Sequence, residues 1–239
     1  MKNTYIAKYP MIWENDDFYL KIFCSIPNIA TGIVLTTEHN TFIIDPGDGI
    51  LRDLNKEFDK QTILGISDIF VSHGHHDHVG GVWSLLTYLS ILKRTEPLNI
   101  HFPKGCVELE AICRAFHEVY EKELTYEINL IEIDTPSTFK INSTEILPFR
   151  VLHCEDSPEG KVEVVPSLGF KFTHEGKSIC YGGDTAYCDS LVKNARGSDL
   201  AIIEAGALDD RESVLHMTMD QAIAIGETAG EYFLVHVPE

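Results

Sequence analysis

The segment HGHHDH at residues 73–78 constrains this chain more than any other feature of its sequence. Imidazole nitrogens and carboxylate oxygens are the ligands that hold zinc and similar divalent ions in proteins. The candidate ligands in this segment are His73, His75, Asp77 and His78. His73 and His75 are separated by one residue and can bind one ion from a loop. Asp77 and His78 point to a second ion. Because the motif follows a strand-like apolar run and precedes a helical pattern, we favour a metal-binding loop over a solvated polar loop.

Size, charge and cysteine content narrow the class of protein. A length of 239 residues suits one continuous core and predicts a single domain over residues 1–239. The formal net charge of −18 disfavours a long nucleic acid as ligand. The six cysteines include no CxxC pair, which predicts free thiols, buried for Cys24, Cys154 and Cys180. Without a secretory signal or an apolar run that spans a bilayer, we expect a cytoplasmic protein with no membrane partner.

Hydrophobic patterns predict how the chain is organised. β-rich runs flank residues 38–40, and two more flank residues 175–176, so each pair predicts a hairpin. Apolar residues at 3–4 spacing predict a helix over residues 107–124. Thr218 with Gln221 matches a capping box, so a helix should begin there. Since hairpins and helices occur in both halves, we predict an α/β (α+β) fold with two mixed β-sheets packed together and helices outside.

Three further candidate ligands, His153, Asp184 and His236, stand at or just after the ends of predicted strands. A lone histidine in such a place is more often structural than a ligand. Strand ends, however, can bring distant positions to one edge of a pair of sheets. The three residues therefore could complete the coordination of two ions together with the HGHHDH segment.

With these seven positions, the sequence resembles the metallo-β-lactamase superfamily over nearly its whole length, because HxHxDH is the hallmark of that family. The resemblance implies a four-layer αββα sandwich with the site at one edge. It also implies that His73, His75 and His153 hold one ion, and that Asp77, His78 and His236 hold the other. Asp184 would bridge both ions. The expected cofactors are two divalent ions, zinc first, with manganese or iron as alternatives.

Three stretches are similar to the ribonuclease Z-like phosphodiesterase branch of this superfamily: residues 166–170 (PSLGF), residues 183–185 (GDT) and residues 216–218 (HMT). The last resembles the His-Ser-Thr motif of that branch, and this implies that His216 assists catalysis. Asp77 would orient the attacking hydroxide, which bridges the ions, or take its proton. The implied function is a binuclear metal-dependent phosphodiesterase that acts on a small or cyclic phosphodiester or an RNA end.

Several alternatives stay open. Nothing between His78 and His153 resembles the basic arm that grips tRNA in ribonuclease Z, so we expect a small or short substrate. A metal-dependent hydrolase of an ester, lactone or thioester is the alternative enzyme, and a non-catalytic metal-binding protein is a third reading. Relatives often form dimers, which leaves a homodimer open.

The remaining polar candidates have ordinary interpretations. Glu204 could lie at the pocket edge, but a solvated loop carboxylate is favoured. Four histidines match no family position and are expected at the surface: His39, His101, His117 and His174.

Overall fold

A computed structural model describes residues 8–24, 32–134, 137–156, 161–208 and 214–238. The elements of the first half are β1 (Met11–Glu14), β2 (Tyr19–Phe23), β3 (Gly32–Thr36), β4 (Thr41–Ile44), α1 (Ile50–Glu57), α2 (Lys60–Leu64), β5 (Ile66–Phe70), α3 (His76–Val79), α4 (Val82–Ile91), β6 (Leu98–Pro103), α5 (Val107–Tyr120) and β7 (Ile128–Ile133). Those of the second half are β8 (Phe139–Ile141), β9 (Thr144–Arg150), β10 (His153–Asp156), β11 (Val162–Val165), β12 (Leu168–His174), β13 (Lys177–Tyr181), α6 (Asp189–Ala195), β14 (Leu200–Glu204), α7 (Met219–Gly226) and β15 (Glu231–Val235).

Both large sheets are mixed, as the hairpin pattern predicts. The first has the order β1-β2-β3-β4-β5-β6-β7, antiparallel up to β4 and parallel from β4 onward. The second has the order β15-β14-β13-β12-β9-β8, with its parallel pairs at β13–β14 and β14–β15. Strands β10 and β11 form a separate hairpin. The hairpins predicted at residues 38–40 and 175–176 are confirmed as β3–β4 and β12–β13.

The two large sheets pack face to face. Successive side chains of a strand point to opposite faces of its sheet, and here one face packs against the other sheet while the opposite face packs against helices. Phe70 points into the space between the sheets, where its ring lies 5.1 Å from that of Phe172 and 5.4 Å from those of Phe42 and Phe170. Its neighbour Ile69 faces the opposite way, into a core shared with α1, α4 and α5. Helices α6 and α7 cover the outer face of the second sheet. The predicted α/β class and αββα layering are confirmed.

The sheet topology positions one functional edge. Parallel strands end at the same edge of a sheet, where ligand sites commonly form. In the first sheet β4 and β5 end there, and in the second β13, β14 and β15 do. The two edges meet, since the Leu168 amide donates a 2.9 Å hydrogen bond to the Ser72 carbonyl. Segments that follow these strands therefore converge, although they are far apart in sequence.

Local predictions had mixed outcomes. The capping box is present at the start of α7, where Thr218 accepts from the Gln221 amide and the Gln221 side chain accepts from the Thr218 amide. The six cysteines form no disulfide; Cys154 and Cys180 are buried as predicted, whereas Cys24 is half-buried. None of the helices within the described ranges has the length and hydrophobicity needed to cross a lipid bilayer.

Two histidines expected at the surface are buried, so that expectation is wrong for them. His101 contacts the Asp68 carboxylate at 2.9 Å and stacks on Phe70. His174 lies 3.2 Å from the Thr144 hydroxyl. His39 and His117 are exposed, as predicted.

Candidate metal centre

The HGHHDH segment spans the end of the loop after β5 and the first three residues of α3, which begins at His76. His73 and His78 are fully buried there, whereas His75 and Asp77 are partly open to solvent. The segment comes close to the second sheet at Gly183, which adopts a φ of 62°. A β-carbon at that position would lie only 2.9 Å from the Ser72 β-carbon. Glycine at position 183 therefore allows Asp184 to come close to the HGHHDH segment.

The first ligand group consists of His73, His75 and His153. One side-chain nitrogen of each residue lies within 4.8 Å of the others. Nδ1 of His75 is 3.2 Å from Nε2 of His153. His153 begins β10 and does not end the preceding strand as predicted, because β9 stops at Arg150.

The second ligand group consists of Asp77, His78, Asp184 and His236, whose ligand atoms also lie within 4.8 Å of one another. Asp184 extends one oxygen to within 3.4 Å of His78 Nε2 and the other to within 3.4 Å of His236 Nε2. Asp77 lies 3.4 Å from both of these nitrogens. The two groups adjoin, since the ring centres of His73 and His78 are 4.1 Å apart. The structure thus brings all seven predicted positions together.

The chemistry of these groups fits divalent ions. Nε2 of His73 and Nε2 of His78 are buried and have no hydrogen-bond partner among the described residues. Burial without a partner is costly for a polar atom, and a bound cation would remove that cost. Burial lowers the pKa of His153 to about 4 and holds the pKa of His73 well below its usual value. These rings are therefore neutral at pH 7, the form that binds a metal.

The second group is more strongly charged. Burial by itself would raise the pKa of Asp77, but the neighbouring rings of His236 and His78 hold it well below its usual value. Burial likewise opposes protonation of His236, yet the neighbouring Asp184 carboxylate raises the pKa of His236 to about 9. Burial also opposes protonation of His78, but the Asp184 and Asp45 carboxylates hold the pKa of His78 well above its usual value. At pH 7 the metal-free group therefore holds two carboxylates and two protonated rings, those of His78 and His236. A divalent ion must displace these protons to bind.

Asp45, which follows β4, is a site residue that the sequence did not indicate. Its carboxylate lies 2.8 Å from Nδ1 of His78 and accepts hydrogen bonds from the Ser72 amide, the Ser72 hydroxyl and the Tyr181 hydroxyl. Asp45 adopts a φ of 47°, a left-handed conformation that is uncommon for residues other than glycine. With Nδ1 of His78 engaged, Nε2 is the nitrogen left to face the second group.

His216 lies beside both groups. Its ring stacks on that of His236 at 5.1 Å and lies 5.5 Å from that of His153. Burial opposes the charged form, but the 3.2 Å contact of Nδ1 with Glu204 raises the pKa of His216 above its usual value. The arrangement favours a ring that carries a proton at Nε2 next to the candidate ligands.

The interpretation of Glu204 as a solvated loop carboxylate is wrong. Its side chain is buried at the end of β14 and accepts hydrogen bonds from the Thr185 and Met217 amides at 3.0 and 3.2 Å. Glu204 thereby joins the segment after Asp184 to the segment that carries His216. Residues 209–213, between Glu204 and His216, lie outside the described ranges.

This chain is similar to several known proteins. Ribonuclease Z of Methanosarcina acetivorans is 24% identical over 245 residues, covering 86% of this chain and 80% of that protein. The crystal structure of human tRNase Z, short form, has a TM-score of 0.70 at 25% identity and covers 87% of this chain and 85% of its own. A metallo-β-lactamase fold protein of Bacillus subtilis shares the fold, with a TM-score of 0.72 at 20% identity over 94% of this chain and 88% of its own.

The family assignment follows from a match to a protein family over most of the chain. Residues 40–237, which include all seven candidate ligands and His216, match the family described as the beta-lactamase superfamily domain. The match begins just before β4 and extends past His236, so it contains both parallel strand groups whose ends build the site. The chain therefore belongs to the β-lactamase superfamily.

Proposed function

We propose that this protein is a phosphodiesterase that uses two divalent metal ions, most simply zinc, held by the two ligand groups. The observation that carries the proposal is the position of His216 and Glu204 against two ligand groups that adjoin through the rings of His73 and His78. The similarity to proteins named ribonuclease Z supports a phosphodiester as the substrate. Two bound ions would activate a water molecule and offset the charge of the phosphodiester oxygens.

The side chains of this chain would have distinct roles in that reaction. His73, His75 and His153 would hold one ion, Asp77, His78 and His236 the other, and Asp184 would contact both. Asp77 is ionised at neutral pH and would orient the attacking water. His216 is engaged by Glu204 through Nδ1, so Nε2 is the atom that would donate a proton to the leaving oxygen.

A small or short substrate fits the surface next to the site. Three exposed carboxylates, those of Glu155, Asp156 and Glu163, lie on the β10–β11 hairpin that begins with the ligand His153. Together with a net charge of −18, they would repel a long polyanion that extends over this hairpin. We therefore propose a cyclic or short phosphodiester, or an RNA end, over a long duplex.

A substrate panel tests the proposal. Protein stripped with a chelator should not hydrolyse bis-p-nitrophenyl phosphate, and zinc or manganese should restore the activity. The same preparation should hydrolyse p-nitrophenyl acetate, a lactone and a thioester with a lower kcat/KM. The reverse order of kcat/KM would show that the protein is an esterase or lactonase and not a phosphodiesterase. Binding of two ions without turnover of any substrate would indicate a non-catalytic metal-binding protein.

A further inference from the structure

We propose that Glu155 is a positioning residue, which fixes the ring of His75 so that Nδ1 faces the first ligand group. The inference rests on the proposed metal centre and extends it to the surface of the protein. Oε2 of Glu155 lies 3.3 Å from Nε2 of His75, and Nδ1 on the other side of that ring lies 3.2 Å from Nε2 of His153. An ionised carboxylate only accepts hydrogen bonds, so Nε2 of His75 carries the proton and Nδ1 presents its lone pair.

Three of the other candidate histidine ligands show why His75 needs such a partner. Nδ1 of His73 lies 3.0 Å from the Ser72 hydroxyl, Nδ1 of His78 contacts Asp45, and Nδ1 of His153 lies 3.2 Å from the Leu215 carbonyl. In each of these three rings Nδ1 is engaged and Nε2 is left for an ion. His75 has the opposite arrangement, with Nε2 engaged and Nδ1 left for an ion. Glu155 is the partner that distinguishes the two nitrogens of this ring.

The β10 strand delivers Glu155 together with a ligand. His153 and Glu155 are two residues apart on this strand, so their side chains leave the same face. Cys154, between them, leaves the other face and is buried. One short strand thereby supplies both His153 and the carboxylate that orients His75.

A role in stability alone does not explain this contact. The side chains of His75 and Glu155 are 35% and 50% exposed, and ion pairs with such exposure contribute only about 0–1 kcal/mol. Glu163 stands directly opposite Glu155 on β11, and like charges in that position are unfavourable. The hairpin therefore keeps Glu155 beside His75 despite a repulsive neighbour. Orientation of a ligand is the function that fits this arrangement.

Metal titration of the full-length protein tests the inference without measuring activity. Metal-free protein is titrated with zinc against a chromophoric chelator, for the wild type and the variants Glu155→Ala, Glu155→Gln and Glu163→Gln. For Glu155→Ala we expect one ion to bind with wild-type affinity and the other about 10–100-fold more weakly. Glu155→Gln keeps an oxygen that accepts a hydrogen bond and should retain most of the affinity. Glu163→Gln removes the same charge from the cross-strand position and should bind both ions normally.

The outcomes separate this inference from the proposed function. Normal binding of both ions by Glu155→Ala would overturn the positioning role while leaving the metal centre intact. An equal loss of affinity in Glu163→Gln would also overturn the positioning role, because the negative charge of the hairpin, and not the contact of Glu155 with His75, would then explain the loss. If the wild-type protein bound no zinc, both the proposed metal centre and this inference would be wrong. As a second readout, ¹⁵N spectra of the zinc-loaded wild type should show His75 protonated at Nε2.

Discussion

Replacement of Asp184 by alanine is expected to reduce phosphodiesterase activity by at least about 10³-fold and the bound metal from two ions to at most one. Asp184 is the carboxylate whose two oxygens reach His78 and His236, and it is almost completely buried. Without it, the imidazoles of His78 and His236 lose their shared counter-charge, and the carboxylate proposed to contact both ions is gone. Loss of an ion removes its effect on water, since a divalent metal ion lowers the pKa of a bound water molecule to about 7.

Controls distinguish this effect from unfolding. Asp184→Asn keeps the side-chain volume and should lose activity similarly while retaining the circular dichroism spectrum of the wild type. Asp189→Asn changes an exposed carboxylate in the first turn of α6 and should leave activity and metal content unchanged. Two bound ions and wild-type turnover in Asp184→Ala would contradict the proposed role of Asp184.

The variant His216→Ala should retain two bound ions and lose about 10²–10⁴-fold in kcat, the usual range for a positioned general acid. The loss should depend on the leaving group. A dinucleotide, with a poor alkoxide leaving group, should show the full effect, whereas bis-p-nitrophenyl phosphate should show a smaller one, since p-nitrophenolate leaves without protonation. Measurement of kcat for both substrates, with metal analysis of the same samples, checks this result.

Glu204→Gln provides a matched comparison. Its carboxylate contacts Nδ1 of His216 at 3.2 Å and raises the pKa of that ring, so the variant should show the same dependence on leaving group with a smaller loss. Equal losses for both substrates in His216→Ala would exclude protonation of the leaving oxygen as its role. Loss of an ion in His216→Ala would instead indicate that His216 holds the stacked ring of the ligand His236 in place.

Local patterns predicted the features that depend on neighbouring residues. The hairpins β3–β4 and β12–β13, the capping box of α7 and the HGHHDH segment are each short, so spacing and turn chemistry suffice to find them. Places at strand ends indicated His153, Asp184 and His236 as candidates, and the resemblance assigned each of them to an ion, because their convergence depends on strands that meet only in the folded protein. The sequence thus indicated both sheets and the seven candidate ligands.

Features that depend on distant contacts were missed or misread. Asp45 lies 33 residues from His78, and its sequence context, followed by Pro46 and Gly47, indicates only a turn. Glu155 lies 80 residues from His75 on a hairpin that the sequence pattern did not separate from β9. His101 is buried because Asp68, 33 residues away on the adjacent strand β5, satisfies one of its nitrogens. Each of these contacts exists only after strands from different parts of the chain have paired.

The central claim is that two cations bind at the two adjoining ligand groups. The most direct measurement is anomalous diffraction at the zinc absorption edge from crystals of the zinc-loaded protein. We predict one peak among His73, His75 and His153 and a second among Asp77, His78, Asp184 and His236. A single peak, or peaks located away from these side chains, would contradict the claim.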